Sequence, residues 1–191
     1  MDEMACDYSQ FSIAHGSNSC MATAMCCCRL FLEQEMKKED LHRVLQAGAI
    51  LYDQWHKNTQ DIHAQQYWTC VTKSFPKMLR GVEPVFESNG FFDRDVDGGC
   101  TFDRVLDELD ATTATKTRRS GVLTSAGGSY AVCHDGTFYY LFDSHGGMPP
   151  NEDVATFRRT ADRNLFRQYI VTDVVGNSAA EFSCVLFEKK R

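Results

Sequence analysis

No run of Lys and Arg longer than three occurs in this chain of 191 residues, and acids outnumber bases 26 to 20, for a formal net charge of −6. A nucleic-acid backbone would find no basic surface to bind, so partners of that class are excluded. No stretch reaches the roughly eighteen apolar residues of a membrane span, because Arg29 and Glu33 interrupt the run that starts at Met21. The opening Met-Asp-Glu-Met has neither the basic nor the apolar region of a signal peptide, which points to the cytoplasm, with the nucleus also open. Internal repeats, linkers and low-complexity stretches are missing too. One monomeric domain over residues 1–191 is expected.

A patterned metal site is also lacking. The nine cysteines include no CxxC with a matching second pair, and Cys26, Cys27 and Cys28 are consecutive. Adjacent residues on a helix point about 100° apart and cannot easily share one tetrahedral ion. An odd count without a secretory signal argues against a disulfide framework and for a reducing compartment. Asp93, Asp95 and Asp97 alternate like the first ligands of a calcium loop, but Glu108 lies too far along to close one. A solvated loop is the reading there, and neither metal nor cofactor is expected.

What is present begins with Gly16-Ser17-Asn18-Ser19-Cys20, followed by a segment apolar on nearly every side. Ser17, Asn18 and Ser19 suit an N-cap, so a buried helix is expected over residues 20–35. A thiol in the first turn of such a helix sits near unpaired N–H groups and the positive end of the dipole, which favours thiolate. Cys26, Cys27 and Cys28 then serve as small core residues.

A second helix is expected over residues 39–56, with Leu41, Val44, Leu45, Ile50 and Leu51 as its stripe. Residues 57–80 fit either a strand or a short helix, and residues 81–99 read as turns because of Pro84, Asn89-Gly90 and Gly98-Gly99. Phe102, Val105, Leu106 and Leu109 mark a short amphipathic helix over 101–109. Strands over 120–133 and 137–143 flank His134-Asp135-Gly136 and should form a hairpin. Residues 152–168 read as helix, 168–175 as strand and 182–187 as a closing strand, whereas 1–19 carry no clear period. Helices first and strands later make an α+β chain.

Cys20 needs a base. The predicted strand 138–143 runs into Asp143-Ser144-His145, and residues two apart in an extended chain share a face. Asp143 can then fix the tautomer of His145, whose other nitrogen is left for a nucleophile. The other histidines lie in a turn, beside helices, or, as with His15, without an orienting acid. A tetrahedral intermediate also needs hydrogen-bond donors for its oxygen. The Cys20 backbone N–H is one; Gln10 and Asn18 are the side-chain candidates, and Gln10 is preferred because it can fold back across the helix start.

Gln10, the Gly16–Cys20 helix opening and Thr137-Phe138-Tyr139-Tyr140-Leu141-Phe142-Asp143-Ser144-His145 together resemble the herpesvirus large tegument protein deubiquitinase domain, and more closely its divergent non-viral relatives. Gly48-Ala49-Ile50-Leu51-Tyr52 and the strand over 121–132 fall in the same order. The resemblance implies a papain-like cysteine protease fold, with a buried N-terminal catalytic helix on a mostly antiparallel sheet. It also implies a triad of Cys20, Asp143 and His145, and Gln10 at the oxyanion. Ser19 and Ser144 depart from the viral motif, which commonly has Gln and Pro there, at positions that supply no catalytic chemistry. The implied reaction is hydrolysis of isopeptide bonds after the Gly-Gly end of ubiquitin or polyubiquitin. A narrow channel for that end is expected from Gly127, Gly128, Gly146 and Gly147, and Asp93, Asp95 and Asp97 are candidates to meet its arginines. The alternatives are a protease for another ubiquitin-like modifier and a non-catalytic ubiquitin-binding module.

Overall fold

Along residues 119–134 two sets of apolar side chains alternate, and each set faces a different core. Val122, Ala131 and Cys133 belong to one buried cluster, Leu123, Tyr130 and Val132 to the other. Successive strand residues point to opposite faces, so this pattern requires a sheet covered on both sides. The computed structural model describes residues 2–13, 19–58, 81–92, 100–115, 117–146, 153–176 and 180–190. Its strands are β1 (Asp2–Ala5), β2 (Val82–Phe91), β3 (Cys100–Thr101), β4 (Arg119–Ser125), β5 (Gly128–His134), β6 (Tyr139–Asp143), β7 (Thr156–Thr160) and β8 (Glu181–Lys189). They form an eight-stranded sheet in the order β1-β7-β6-β5-β4-β8-β2-β3. Every neighbouring pair is antiparallel except β2 with β3.

Helix α1 (Cys20–Glu33) lies on one face, with α2 (Lys38–Asn58) packed behind it. Met25, Cys27, Cys28 and Phe31 of α1 meet Val122, Ala131, Phe142, Phe157 and Val185 of the sheet, and Leu41, Val44 and Leu45 of α2 close the cluster. The other face is covered by α3 (Phe102–Thr115) and by α4 (Arg163–Gln168), which runs into a π-helical turn at Tyr169–Val174. Phe102, Val105, Leu106, Leu109, Phe166 and Ile170 supply that core. Each fully buried aromatic or leucine contributes roughly 1.5–3 kcal/mol relative to exposure. The α+β class and the buried N-terminal helix on a mostly antiparallel sheet are as expected, and so is the β5–β6 hairpin, in which His134 pairs with Tyr139.

Several elements differ from expectation. Residues 82–91, expected as turns, form β2; Pro84 is accommodated where the register against β8 shifts, at a bulge that needs no N–H from it. The run over 120–133 is two strands, because Ala126 (φ 50°) and Gly127 (φ 81°) reverse the chain in a two-residue turn. The expected helix over 152–168 begins only at Arg163, where the Asp162 side chain accepts from the N–H groups of Asn164 and Leu165. Ahead of it Thr156–Thr160 inserts between β6 and β1 as a strand. Residues 169–174 continue the helix as a π turn instead of a strand. The N-terminal segment contains β1, held on β7 by Arg158 to Glu3 and by Arg159 to Asp2 at 3.1 Å. Helix α3 runs to Thr115, past the expected end at 109. Ile50 is 60% exposed and so does not join the stripe of α2. Of the ambiguous residues 57–80, the first two close α2, and 59–80 lie outside the described residues.

Candidate active site

Strand β6 ends at Asp143, and the next two residues turn away from the sheet. Asp143 Oδ1 accepts from the His145 backbone N–H at 2.9 Å and lies 2.8 Å from His145 Nδ1. The two side chains therefore meet through a tight turn closed by the carboxylate. The shared strand face expected from the sequence is not what joins them, since His145 lies beyond the strand. With Nδ1 engaged, Nε2 is the nitrogen left for another partner. The imidazole stands between Tyr130, at 5.4 Å between ring centroids, and Phe11, at 6.0 Å.

Cys20 is the first residue of α1, as expected, and Ser19 holds the N-cap position. Ser19 makes no side-chain cap bond. Its hydroxyl accepts from Thr23 Oγ1 at 3.3 Å, and its carbonyl from the Thr23 N–H at 2.8 Å. Burial opposes ionisation of the Cys20 thiol. A hydrogen bond and the charge of His145, with the backbone N–H groups of Ser129 and Met21, outweigh it and bring the thiol below its ordinary value. For His145, burial works against the charged form, but the hydrogen bonds to Asp143 and Cys20 and their charges raise it to about 9. A thiolate beside an imidazolium follows between those values. Its neighbours on α1 behave oppositely: burial pushes Cys26 up to about 11 and Cys27 well above the ordinary thiol range.

Gln10 sits in a short 3-10 turn, Gln10–Ser12, and is 1% exposed. Its backbone N–H donates to the Ser144 carbonyl at 2.9 Å, and its Oε1 accepts from Ser144 Oγ at 2.8 Å. The structure thus ties Gln10 to the residue between Asp143 and His145. Gly128 is buried beside Tyr130 and precedes Ser129, whose N–H meets the Cys20 sulfur. Gly127 lies at the open tip of the β4–β5 turn, and Gly146, with φ 146°, follows His145. Asn18, Gly147, Asp93, Asp95 and Asp97 lie outside the described residues.

Two contributors were not read from the sequence. The Ser129 amide was hidden inside what looked like one uninterrupted strand; the Ala126-Gly127 turn is the signal that exposes it. Phe11 is an exposed aromatic next to an amide in a lead-in without period, which carries no signal by itself. Of the other histidines, His134 is buried with Nδ1 2.6 Å from Thr112 Oγ1, and His42 lies 3.4 Å from Asp7. Among the described residues no group of three or more His, Cys, Asp or Glu could hold a metal ion, and no helix is long and apolar enough to cross a membrane.

No family model and no curated protein matches the sequence. Among solved structures, the chain is similar to the ubiquitin-specific protease encoded by murine cytomegalovirus tegument protein M48, determined in complex with a ubiquitin-based suicide substrate. The match has a TM-score of 0.70 and 15% identity, and covers 100% of this chain and 88% of that one. It shows a shared fold.

Proposed function

We propose that the chain is a cysteine deubiquitinase that hydrolyses isopeptide bonds after the C-terminal Gly-Gly of ubiquitin. The observation that carries the reading is the connected set Cys20–His145–Asp143, in which a half-buried thiol is drawn below its ordinary value by an imidazole that a carboxylate orients. The fold shared with a viral ubiquitin-specific protease supplies the substrate class.

In this reading the Cys20 thiolate attacks the carbonyl carbon of the terminal glycine, and the carbonyl electron pair moves to oxygen. Gln10 and the Cys20 backbone N–H stabilise that oxyanion. As the C–N bond breaks, His145 gives its proton to the leaving lysine amine, and a thioester remains. Water, deprotonated by His145, then attacks the thioester, and release of the carboxylate restores the thiolate and the imidazolium. Gly127, Gly128, Gly146 and Gly147 are proposed to line the channel for the Gly-Gly end by close backbone approach. Asp93, Asp95 and Asp97 are proposed to meet the arginines of the ubiquitin tail.

Ubiquitin carrying a C-terminal electrophile tests the reading under reducing conditions. Covalent capture at Cys20, lost in Cys20→Ala, is the expected result. Labelling by an electrophile on a different ubiquitin-like modifier, with none by ubiquitin, would replace the substrate.

A further inference from the structure

Gln10 and Ser144 are joined twice, and each bond has a separate job. The main-chain bond, Gln10 N–H to the Ser144 carbonyl at 2.9 Å, sets where residue 10 lies relative to the turn that carries Asp143 and His145. The side-chain bond, Ser144 Oγ to Gln10 Oε1 at 2.8 Å, acts on the amide itself. Both residues are 1% exposed, so solvent has little access to either.

A carboxamide has two ends of opposite character, an accepting oxygen and a donating NH2. Only the NH2 end can meet a developing oxyanion; the oxygen end in its place would repel it. A half-turn about the last side-chain bond exchanges them. An oxyanion site built on glutamine therefore needs something to choose the end. We infer that Ser144 is a positioning residue: its hydroxyl, by donating to Oε1, holds the Gln10 amide in the state whose NH2 is offered to the oxyanion. The inference rests on the reading that Gln10 stabilises an oxyanion formed at Cys20. It makes Asp143-Ser144-His145 one unit in which the first residue orients the base, the third is the base, and the middle one orients the oxyanion donor.

Alanine at 144 removes the hydroxyl and keeps the main-chain bond. With ubiquitin bearing a C-terminal aminocoumarin amide, Ser144→Ala is expected to lower kcat about tenfold with KM unchanged. That is a fraction of the ~10²–10³ that one oxyanion donor commands. Ser144→Thr, which retains the donor, should recover kcat to within about threefold of wild type. In a Gln10→Ala background, Ser144→Ala should cost nothing further, because the two residues act through one amide.

Ubiquitin with a C-terminal aldehyde gives a second readout. The thiolate adds to the aldehyde carbon, the carbonyl pair moves to oxygen, and that oxygen takes a proton to give a thiohemiacetal in the oxyanion position. Its affinity should fall about tenfold in Ser144→Ala and recover in Ser144→Thr. An equal loss from Ser144→Ala with and without Gln10, or kcat and aldehyde affinity both within twofold of wild type, overturns the inference. A wild-type protein whose Cys20 is alkylated by iodoacetamide but is inert to both ubiquitin reagents overturns the functional reading, and the inference with it.

Discussion

Gly48 of α2 faces Thr23 of α1 so closely that a Cβ at position 48 would lie 2.6 Å from the Thr23 Cα and 2.2 Å from its Oγ1. Thr23 in turn binds Ser19 through both its backbone N–H and its hydroxyl. The glycine therefore lets α2 press against the turn of α1 that opens with Cys20. Gly48→Ala gains roughly 0.5–1 kcal/mol in helix propensity but meets backbone it cannot displace, and overpacking costs about 1–3 kcal/mol. A net loss is expected, seen as a lower urea midpoint with an unchanged m-value. An unchanged midpoint would mean that the two helices separate freely.

Protonation of the pair predicts how rate depends on pH. As pH rises past the lowered value of Cys20, thiolate forms and kcat climbs; as it passes about 9, His145 loses the proton needed by the leaving amine and kcat falls. Alkylation by iodoacetamide needs only the thiolate and should show the rising limb alone. In His145→Ala the burial of Cys20 is no longer opposed by the imidazole, so that limb should move up toward or beyond the ordinary thiol value of about 8.5. A limb that stays in place would show that the helix start alone activates Cys20.

Asp143 Oδ1 receives both His145 bonds, from the backbone N–H and from Nδ1. Asp143→Asn removes the charge that helps keep the imidazole protonated, so the falling limb should shift below about 9. Turnover should drop on the order of 10²-fold or more, through loss of both charge and tautomer control. An NMR titration of the His145 ring checks the shift directly, and a ring still titrating at about 9 contradicts the assignment.

Phe11 is 57% exposed and lies against the His145 ring. If the proposed reaction holds, a solvent-facing phenyl beside His145 is placed to touch whatever flanks the scissile bond. Phe11→Ala should therefore raise KM several-fold while changing stability by no more than about 0.5 kcal/mol. A fall in kcat alone, with KM constant, would assign Phe11 to holding the imidazole instead.

Long elements with a strong period were legible: α1 from its all-round apolarity, α3 from Phe102, Val105, Leu106 and Leu109. Elements went unread where a local signal had a tertiary answer. Pro84 and Asn89-Gly90 look like breakers, yet pairing with β8 carries the chain through both. Thr156–Thr160 has two arginines in five residues, but Arg158 lies over the Tyr169 ring and Arg159 over Phe138, so a strand can carry them. At the candidate site, Asp143 and His145 were expected side by side from their spacing and do meet, although a turn joins them and not a shared strand face. The Ser144–Gln10 bond could not be read, because nothing in the local sequence says that the segment around residue 10 returns to the end of β6.

The meeting of an early cysteine with a late aspartate and histidine also sets a schedule. During synthesis Cys20 emerges long before β6 does, and a thiol without His145 is an ordinary one. The lowered ionisation of Cys20 is withheld until the sheet has assembled across most of the sequence, when the turn after β6 reaches the head of α1. The rate of Cys20 alkylation at mildly acidic pH, where an ordinary thiol is almost wholly protonated, thus reports completed folding, and a chain arrested before Asp143 should react no faster there than a free cysteine.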